Sequence, residues 1–197
     1  MTNKTQTADT VSKSRLTGAS FTLKNRLLRL VWDFTCLLVF RYTPRPLHAW
    51  RVFVLRCFGA KIGQHCHVYP SAKIWAPWNL AMHDYACIAN DVICYTQASI
   101  TLQERSIVSQ GAHLCTGSHD YNDPDFPLFA VPIDIGKDAW VCAEAFIHPG
   151  VIIPEGAVVG ARSVVNKSLP LPWKVYAGNP CRQVGERKQF INNEMSK

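Results

Sequence analysis

No apolar run in this sequence approaches the roughly 18–20 residues that a membrane-spanning helix needs. The longest candidate, Val31 to Phe40, is far shorter and contains Asp33. The first twenty residues are polar and lack the apolar core of a secretory signal, so secretion is not expected. Charge is sparse too. Only 18% of residues are charged against 48% hydrophobic, a balance that allows a packed core and excludes a disordered chain. The eight cysteines, at 36, 57, 66, 87, 94, 115, 142 and 181, contain no Cys-x-x-Cys and no close doublets of the kind zinc sites use. Scattered in this way, and with no secretory leader, they read as small buried hydrophobes in a reducing compartment. At 197 residues the chain is one domain, with room for a small appendage.

Acids are scarce in one segment only. Residues 1–61 hold eleven Lys or Arg and two acids, and the remainder holds ten and twelve. The formal net charge of +7 is therefore a +9 head on a −2 body.

The body is periodic. Ile135, Val141, Ile147, Ile153, Val159 and Val165 recur every six positions, and four residues after the first five of them stand Ala139, Ala145, Val151, Ala157 and Ser163. A period of six fits neither a 3.6-residue helix nor an alternating strand. It fits a chain that turns a corner every six residues, with one bulky side chain inward per side and a small residue near each corner. Upstream, the triplets Ile62-Val68-Ile74, Met82-Ile88-Cys94 and Leu102-Val108-Leu114 keep the step of six, with steps of eight between triplets. The gap from Leu114 to Ile135 is twenty-one. Every insertion thus falls at the same corner of a triangular coil. Five coils, 62–79, 82–99, 102–119, 135–152 and 153–170, make an all-β solenoid, a parallel β-helix with coils about 4.8 Å apart.

The head reads as helices. Leu23, Leu27, Leu30, Val31 and Phe34 form one helical stripe, with Lys24, Arg26 and Arg29 off it. Pro44 and Pro46 break this helix, and a second runs from Leu47 to Phe58, ended by Gly59. Two roles are open for this segment: a cap on the open end of the first coil, which solenoids require, or a basic segment lying at an anionic lipid surface.

The hexads Ile135-Gly136, Ile153-Pro154-Glu155-Gly156-Ala157-Val158 and Val159-Gly160-Ala161-Arg162-Ser163-Val164 resemble those of the hexapeptide-repeat acyltransferases. Three stretches sharpen the likeness: Pro77-Trp78-Asn79-Leu80, Leu114-Cys115-Thr116-Gly117-Ser118-His119-Asp120-Tyr121 and Ala177-Gly178-Asn179-Pro180-Cys181-Arg182. They are similar to the sugar O-acetyltransferases of the nodulation, galactoside and maltose type, and most of all to acetyltransferases of colanic acid and other exopolysaccharide biosynthesis. The resemblance spans roughly residues 21–187. It implies a left-handed parallel β-helix of hexapeptide repeats, an exception to the usual right-handed crossover. The expected organisation is a flexible tail over 1–20, a basic helical cap over 21–60, and the β-helix over 61–170 with an inserted loop at 120–132. A short C-terminal extension over 171–197 would contribute to a coenzyme A site.

The chemistry implied is transfer of an acetyl group from acetyl-CoA to a sugar hydroxyl of a glycan or exopolysaccharide precursor. It needs a base for the hydroxyl and a pocket for an oxyanion, and no covalent intermediate if both substrates bind together. His119 matches the catalytic histidine of the resembled family. It stands where the third coil gives way to the long insertion, and a neutral imidazole can take a proton near neutral pH and return it. Asp120 could orient that ring, contact substrate, or be an ordinary loop carboxylate. Tyr121, Asn122 and Asp123 are placed to line the acceptor side, and Trp140 matches a family tryptophan near the active site. By the same resemblance the pantetheine arm runs along the later coils past Ala143, Ala161 and Lys167, with Arg182 near the nucleotide phosphates.

Cys115 offers a covalent alternative as an acetylated nucleophile, though a strand cysteine at this place reads first as packing. A zinc site is not expected, because His65, His67, His83, His113 and His148 give no His-x4-His pair and His113 and His119 are six apart. Transfer to serine or to the nitrogen of an amino sugar, and a non-catalytic β-helix scaffold, are the competing functions. A homotrimer with sites between neighbouring prisms is what the resemblance implies, and a flat-sided prism suits such contacts. The expected partners are coenzyme A, a sugar or lipid-linked glycan and an anionic membrane, with no nucleic acid. The expected location is the cytoplasm, at the inner face of its membrane.

Overall fold

In a computed structural model of the chain, residues 21–189 are described. The tail expected over 1–20 and the end of the C-terminal extension lie outside them. The hexads form a three-sided coil, each side a short strand of two to four residues. The first face stacks Lys61–Ile62, Leu80–Met82, Ile100–Leu102, Ile133–Ile135 and Ile152–Ile153. The second stacks His67–Val68, Cys87–Ile88, Ile107–Val108, Trp140–Val141, Val158–Val159 and Lys174–Ala177. The third stacks Lys73–Ile74, Ile93–Tyr95, His113–Cys115, Phe146–Ile147 and Val164–Val165.

All pairing between coils is parallel and in register. Ile62, Met82, Leu102, Ile135 and Ile153 lie over one another. Val68, Ile88, Val108, Val141, Val159 and Tyr176 make the second ladder. Ile74, Cys94, Leu114, Ile147 and Val165 make the third. All of these are buried, so the six-residue period marks the inward positions of a left-handed parallel β-helix. The residues Ala139, Ala145, Val151, Ala157 and Ser163 are buried as well, at the corners. The stack also passes the expected end at residue 170. Lys174–Ala177 joins the second face in parallel, and Arg182–Glu186 returns antiparallel along its edge.

The corners have a conformation that the residue types alone do not advertise. At the corner between first and second faces, His65, Tyr85, Arg105, Asp138, Gly156 and Trp173 all have positive φ, although only one is glycine. The next corner repeats this at Asp91, Gly111, Glu144 and Arg162. The left-handed turn aims backbone N–H groups at the coil before: Tyr85 donates to Gln64, Arg105 to Asp84, Asp138 to Glu104 and Gly156 to Lys137, at 2.8–3.0 Å. Each corner thereby satisfies groups that a turn would otherwise expose, which offsets the local strain.

The head packs on the first coil. Helix α1 (Leu23–Thr35) starts at Thr22, whose hydroxyl accepts the Asn25 N–H at 3.2 Å. It runs into a π-helical turn, Cys36–Phe40, and helix α2 (His48–Cys57) follows the Pro44-Arg45-Pro46 turn. Gly59, at φ +87°, ends α2. Val52 and Leu55 of α2 join the core over the first coil. Arg51, fully buried, donates from Nε to Val68 O at 2.6 Å, from Nη1 to Thr43 Oγ1 at 2.8 Å and Pro44 O at 2.9 Å, and from Nη2 to Arg45 O. One cation thus pins the turn between helices to the β-helix. Helix α1 docks through Trp32, whose indole N–H donates to Ile74 O at 2.6 Å. Its apolar stripe behaves differently: Leu23, Leu27, Leu30, Val31 and Phe34 are all exposed, and the inward face carries Asn25 and Trp32 instead.

Of the cysteines, 66, 94 and 181 are buried and 36, 87, 115 and 142 half-buried, as expected of small hydrophobes, but Cys57 at the end of α2 is exposed. Gly136 supplies a test of the stacking. A Cβ there would sit 2.7 Å from Glu155 N and Ile153 O, backbone atoms that cannot swing away. Gly136→Ala should cost about 1–3 kcal/mol, read as a fall in the thermal unfolding midpoint.

Candidate active site

The corner between third and first faces is where all insertions fall, and threonine hydroxyls reinforce the backbone bonds that cross it, such as Thr116 N to Tyr95 O at 3.3 Å. Thr96 Oγ1 donates to Ala76 O at 2.9 Å and accepts from Ala76 N at 2.8 Å. One coil on, Thr116 Oγ1 donates to Tyr95 O at 2.6 Å and accepts from Ala98 N at 2.9 Å. Both threonines are fully buried. Above Thr116 the insertion leaves as a hairpin, Gly117–His119 pairing antiparallel with Leu128–Ala130. Gly117 lies so close under Gln97 that a Cβ would meet the Gln97 amide oxygen at 1.8 Å. The hairpin base is therefore seated on a fixed platform.

His119 ends the first strand of this hairpin, opposite Leu128, with its side chain exposed. Its Nδ1 lies 2.8 Å from the carbonyl oxygen of Phe126, and its ring stacks on the Phe126 ring with centroids 4.6 Å apart and planes 10° from parallel. A carbonyl only accepts, so Nδ1 carries the proton and Nε2 presents a lone pair. The hairpin end is held from within: Phe126 N donates to Asp123 O at 2.8 Å and Asp120 N to Pro127 O at 3.0 Å. Asp120 Oδ1 accepts from Asn122 N at 3.2 Å, so the ring's Nδ1 partner is Phe126 and not the Asp120 carboxylate. Tyr121 is 82% exposed beside them, free of the packing that would explain it as core.

The remaining expected residues form two other groups. Trp140 lies on the second face, half-exposed, with its indole N–H on Ser109 Oγ at 2.8 Å. Ala143 and Ala161 follow at the next corner on successive coils, where Ala143 O accepts from Arg162 N at 2.9 Å. Lys167 and Arg182 line one cavity of about 230 Å³ with Tyr176 and Gln183, near the C-terminal end of the stack. Within one chain, then, His119, Asp120 and Tyr121 share a hairpin. Trp140, Ala143 and Ala161 lie along another side of the prism, and Lys167 and Arg182 meet at its end. A separate cavity of about 440 Å³, between α1 and the third face, is lined by Asp33, Arg41, Lys73, Trp75 and Tyr95 and contains none of the expected site residues.

Cys115 does not look like a nucleophile. It is half-buried, its thiol donates to Gly117 O at 3.2 Å, and burial holds its pKa above the ordinary thiol value, so it stays protonated at neutral pH. Cys94, deeper on the same face, is pushed up to about 12. Among the described residues no three His, Cys, Asp or Glu side chains converge as a metal group would require. Phe126, Thr116 and Gln97 carry the site's geometry and are not legible as functional in the sequence. The one available signal was the recurrence of Thr96 and Thr116 at the widened corner, twenty residues apart.

A triangular solenoid of hexads with a histidine-bearing hairpin at its one interrupted corner defines the hexapeptide-repeat transferases as a class. No protein-family model matches the sequence. The chain is 47% identical over 149 residues to an Escherichia coli (strain K12) protein named as a colanic acid biosynthesis acetyltransferase, WcaF, covering 76% of this chain and 81% of the relative. Its fold matches a maltose O-acetyltransferase from Clostridium difficile 630 with a TM-score of 0.77 at 23% identity, over 85% of this chain and 90% of that one. It also matches the hexapeptide-repeat acetyltransferase VCA0836 of Vibrio cholerae, solved with acetyl coenzyme A, with a TM-score of 0.75 at 22% identity, over 85% and 91%. The chain belongs to the hexapeptide-repeat acetyltransferases, alongside the enzymes of exopolysaccharide and sugar O-acetylation.

The platform under the hairpin yields a prediction. Thr116→Val keeps shape but leaves buried Ala98 N and Tyr95 O without their shared hydroxyl, at a cost of about 1–3 kcal/mol. Because Thr116 leads directly into Gly117-Ser118-His119, this variant should lower kcat more than Thr96→Val does in parallel turnover assays.

Proposed function

We propose that the protein is an acetyl-CoA-dependent O-acetyltransferase that acetylates a sugar hydroxyl of a glycan or exopolysaccharide precursor, with His119 as general base. The observation that carries the reading is the Nδ1 contact of His119 with Phe126 O at 2.8 Å, which leaves Nε2 as the basic atom on an exposed, rigidly backed ring. The acceptor hydroxyl gives its proton to Nε2 as its oxygen attacks the thioester carbonyl. The tetrahedral intermediate then collapses, the carbon–sulfur bond breaks, and the proton passes from Nε2 to the departing thiolate. The Phe126 carbonyl stabilises the imidazolium between these steps, because the Nδ1–H bond strengthens when the ring is charged. Asp120 and Tyr121 share the hairpin and are suited to meeting the acceptor. The name of the Escherichia coli relative supports an exopolysaccharide precursor as acceptor.

Acetyl-CoA as donor is supported by the complex named for the Vibrio cholerae neighbour and by the pairing of Lys167 with Arg182 around one cavity. Two cations there suit phosphate oxygens, and Ala143 and Ala161 offer small, close-approach positions for a pantetheine arm along the stack. The separation of His119 from Trp140, Ala143 and Ala161 within one chain is itself informative. Assembly as a homotrimer, with the second face of one copy set against the hairpin of the next, would unite them in one site. The trimer therefore belongs to the proposal.

His119→Ala should lower kcat about 10²–10⁴-fold in an assay of thiol release with a glycan acceptor, while Cys115→Ala stays within about threefold of the parent. Loss of activity in Cys115→Ala with His119→Ala unaffected would replace direct transfer by a covalent route. Lys167→Ala and Arg182→Ala should each raise KM for acetyl-CoA roughly 3–10-fold with little change in kcat, since each removes one charge-assisted contact.

A further inference from the structure

The outward face of α1 has no counterpart in the transfer chemistry. At 100° per residue, Leu23, Leu27, Leu30, Val31 and Phe34 fall within one arc, centred opposite the arc of Asn25 and Trp32 that meets the β-helix. These five residues are 54–72% exposed, so the helix turns its apolar side to solvent and its indole anchor inward. Amphipathic helices on a protein surface do the reverse. The patch continues through Leu37 and Leu38, 46% and 71% exposed, and across to α2, where Trp50 Nε1 donates to Val39 O at 2.8 Å and the Trp50 ring lies tilted beside Phe53, centroids 5.8 Å apart. A contiguous apolar surface of this kind marks an interaction site.

Its borders are basic. Lys24 flanks the arc on one side and Arg26 on the other, and Arg41 and Arg45 are exposed in the turn beyond it. Residues 21–61 hold eight Lys or Arg and one acid, Asp33. Arg51 and Arg56 are occupied by backbone carbonyls, and Arg29 and Arg45 lie over the Trp75 and Tyr69 rings, while Lys24, Arg26 and Arg41 are exposed beside the patch. Two copies meeting through this face would bring like charges together, whereas a surface of anionic headgroups over acyl chains complements both its apolar arc and its cations.

We infer that the outer face of α1, with the adjoining π-helical turn and Trp50 and Phe53, is a docking surface for an anionic phospholipid bilayer. The helix lies in the plane of the interface, with Leu27, Leu30 and Phe34 immersed and Lys24 and Arg26 at headgroup level. The protein is then held peripherally, since none of its described helices is long and apolar enough to cross a membrane. This inference does not depend on the acetyl acceptor, and its test needs no turnover.

The test is sedimentation of the full-length protein with phosphatidylcholine vesicles, with and without about one-third phosphatidylglycerol, at low and high salt. The parent should bind the anionic vesicles and release at high salt. Lys24→Gln/Arg26→Gln should weaken partitioning roughly 25-fold, about fivefold per charge. Leu27→Gln/Phe34→Gln should weaken it at least as much, with an unchanged unfolding midpoint to show an intact fold. Failure of the parent to bind, equal binding to neutral vesicles, or full binding by both variants would overturn the inference. So would a change of molar mass by light scattering in Leu27→Gln/Phe34→Gln with vesicle binding retained, which would assign the face to a second copy of the chain.

Discussion

Backbone hydrogen bonding from each coil to the coil before it is the interaction on which everything else in this molecule depends. Two of the three corners close by a left-handed residue whose N–H reaches back one coil, as Tyr85 does to Gln64 and Glu144 does to Gln110. With the strands paired in register on every face, almost no freedom remains in how one hexad sits on the next. Side chains fill the prism, and the ladder sets its pitch. This is why glycine is needed at Gly136, whose Cβ would meet the backbone of the next coil, while bulky residues are accepted at left-handed positions such as Tyr85 and Trp173, whose rings lie over His65 and Gly156 one coil back.

The third corner departs from this rule, and the proposed general base stands there. The widened turn keeps direct backbone bonds such as Val131 N to Thr116 O at 2.8 Å, and Thr96 and Thr116 add hydroxyls that give and receive at once. The hairpin carrying His119 grows from the top of that patched column. Its tip is shaped by its own backbone, and the carbonyl of Phe126 selects the tautomer of the imidazole. Rigidity is thus lent by the solenoid to a loop that would otherwise wander.

The head solves a different problem. An open first coil must be covered, and α2 covers it with Val52 and Leu55 while Arg51 gathers carbonyls from the turn and from Val68. Helix α1 is held through Trp32, on Ile74 O, and through Arg29 over the Trp75 ring. Its apolar side is left to face outward among arginines and lysines. Lys24, Arg26 and Arg41 are thereby exposed beside the apolar side chains of α1.

The sequence alone determined the repeat. A six-residue period with its insertions in phase leaves little but a triangular coil, because the inward position of each strand must be apolar whatever its neighbours do. The boundaries at Pro44, Pro46 and Gly59, and the placing of His119 at the interrupted corner, were legible for similar local reasons. A helical stripe was legible too, but not the direction in which it points, since amphipathicity has a moment and no knowledge of which side meets the core. The partner of His119 was hidden, because a main-chain carbonyl leaves no mark in residue type. So were the sixth partial coil and the distribution of Trp140, Ala143 and Ala161 away from the hairpin. Periodicity is local and can be read along the chain. Orientation and convergence depend on which surfaces remain uncovered after packing, and only the tertiary structure decides that.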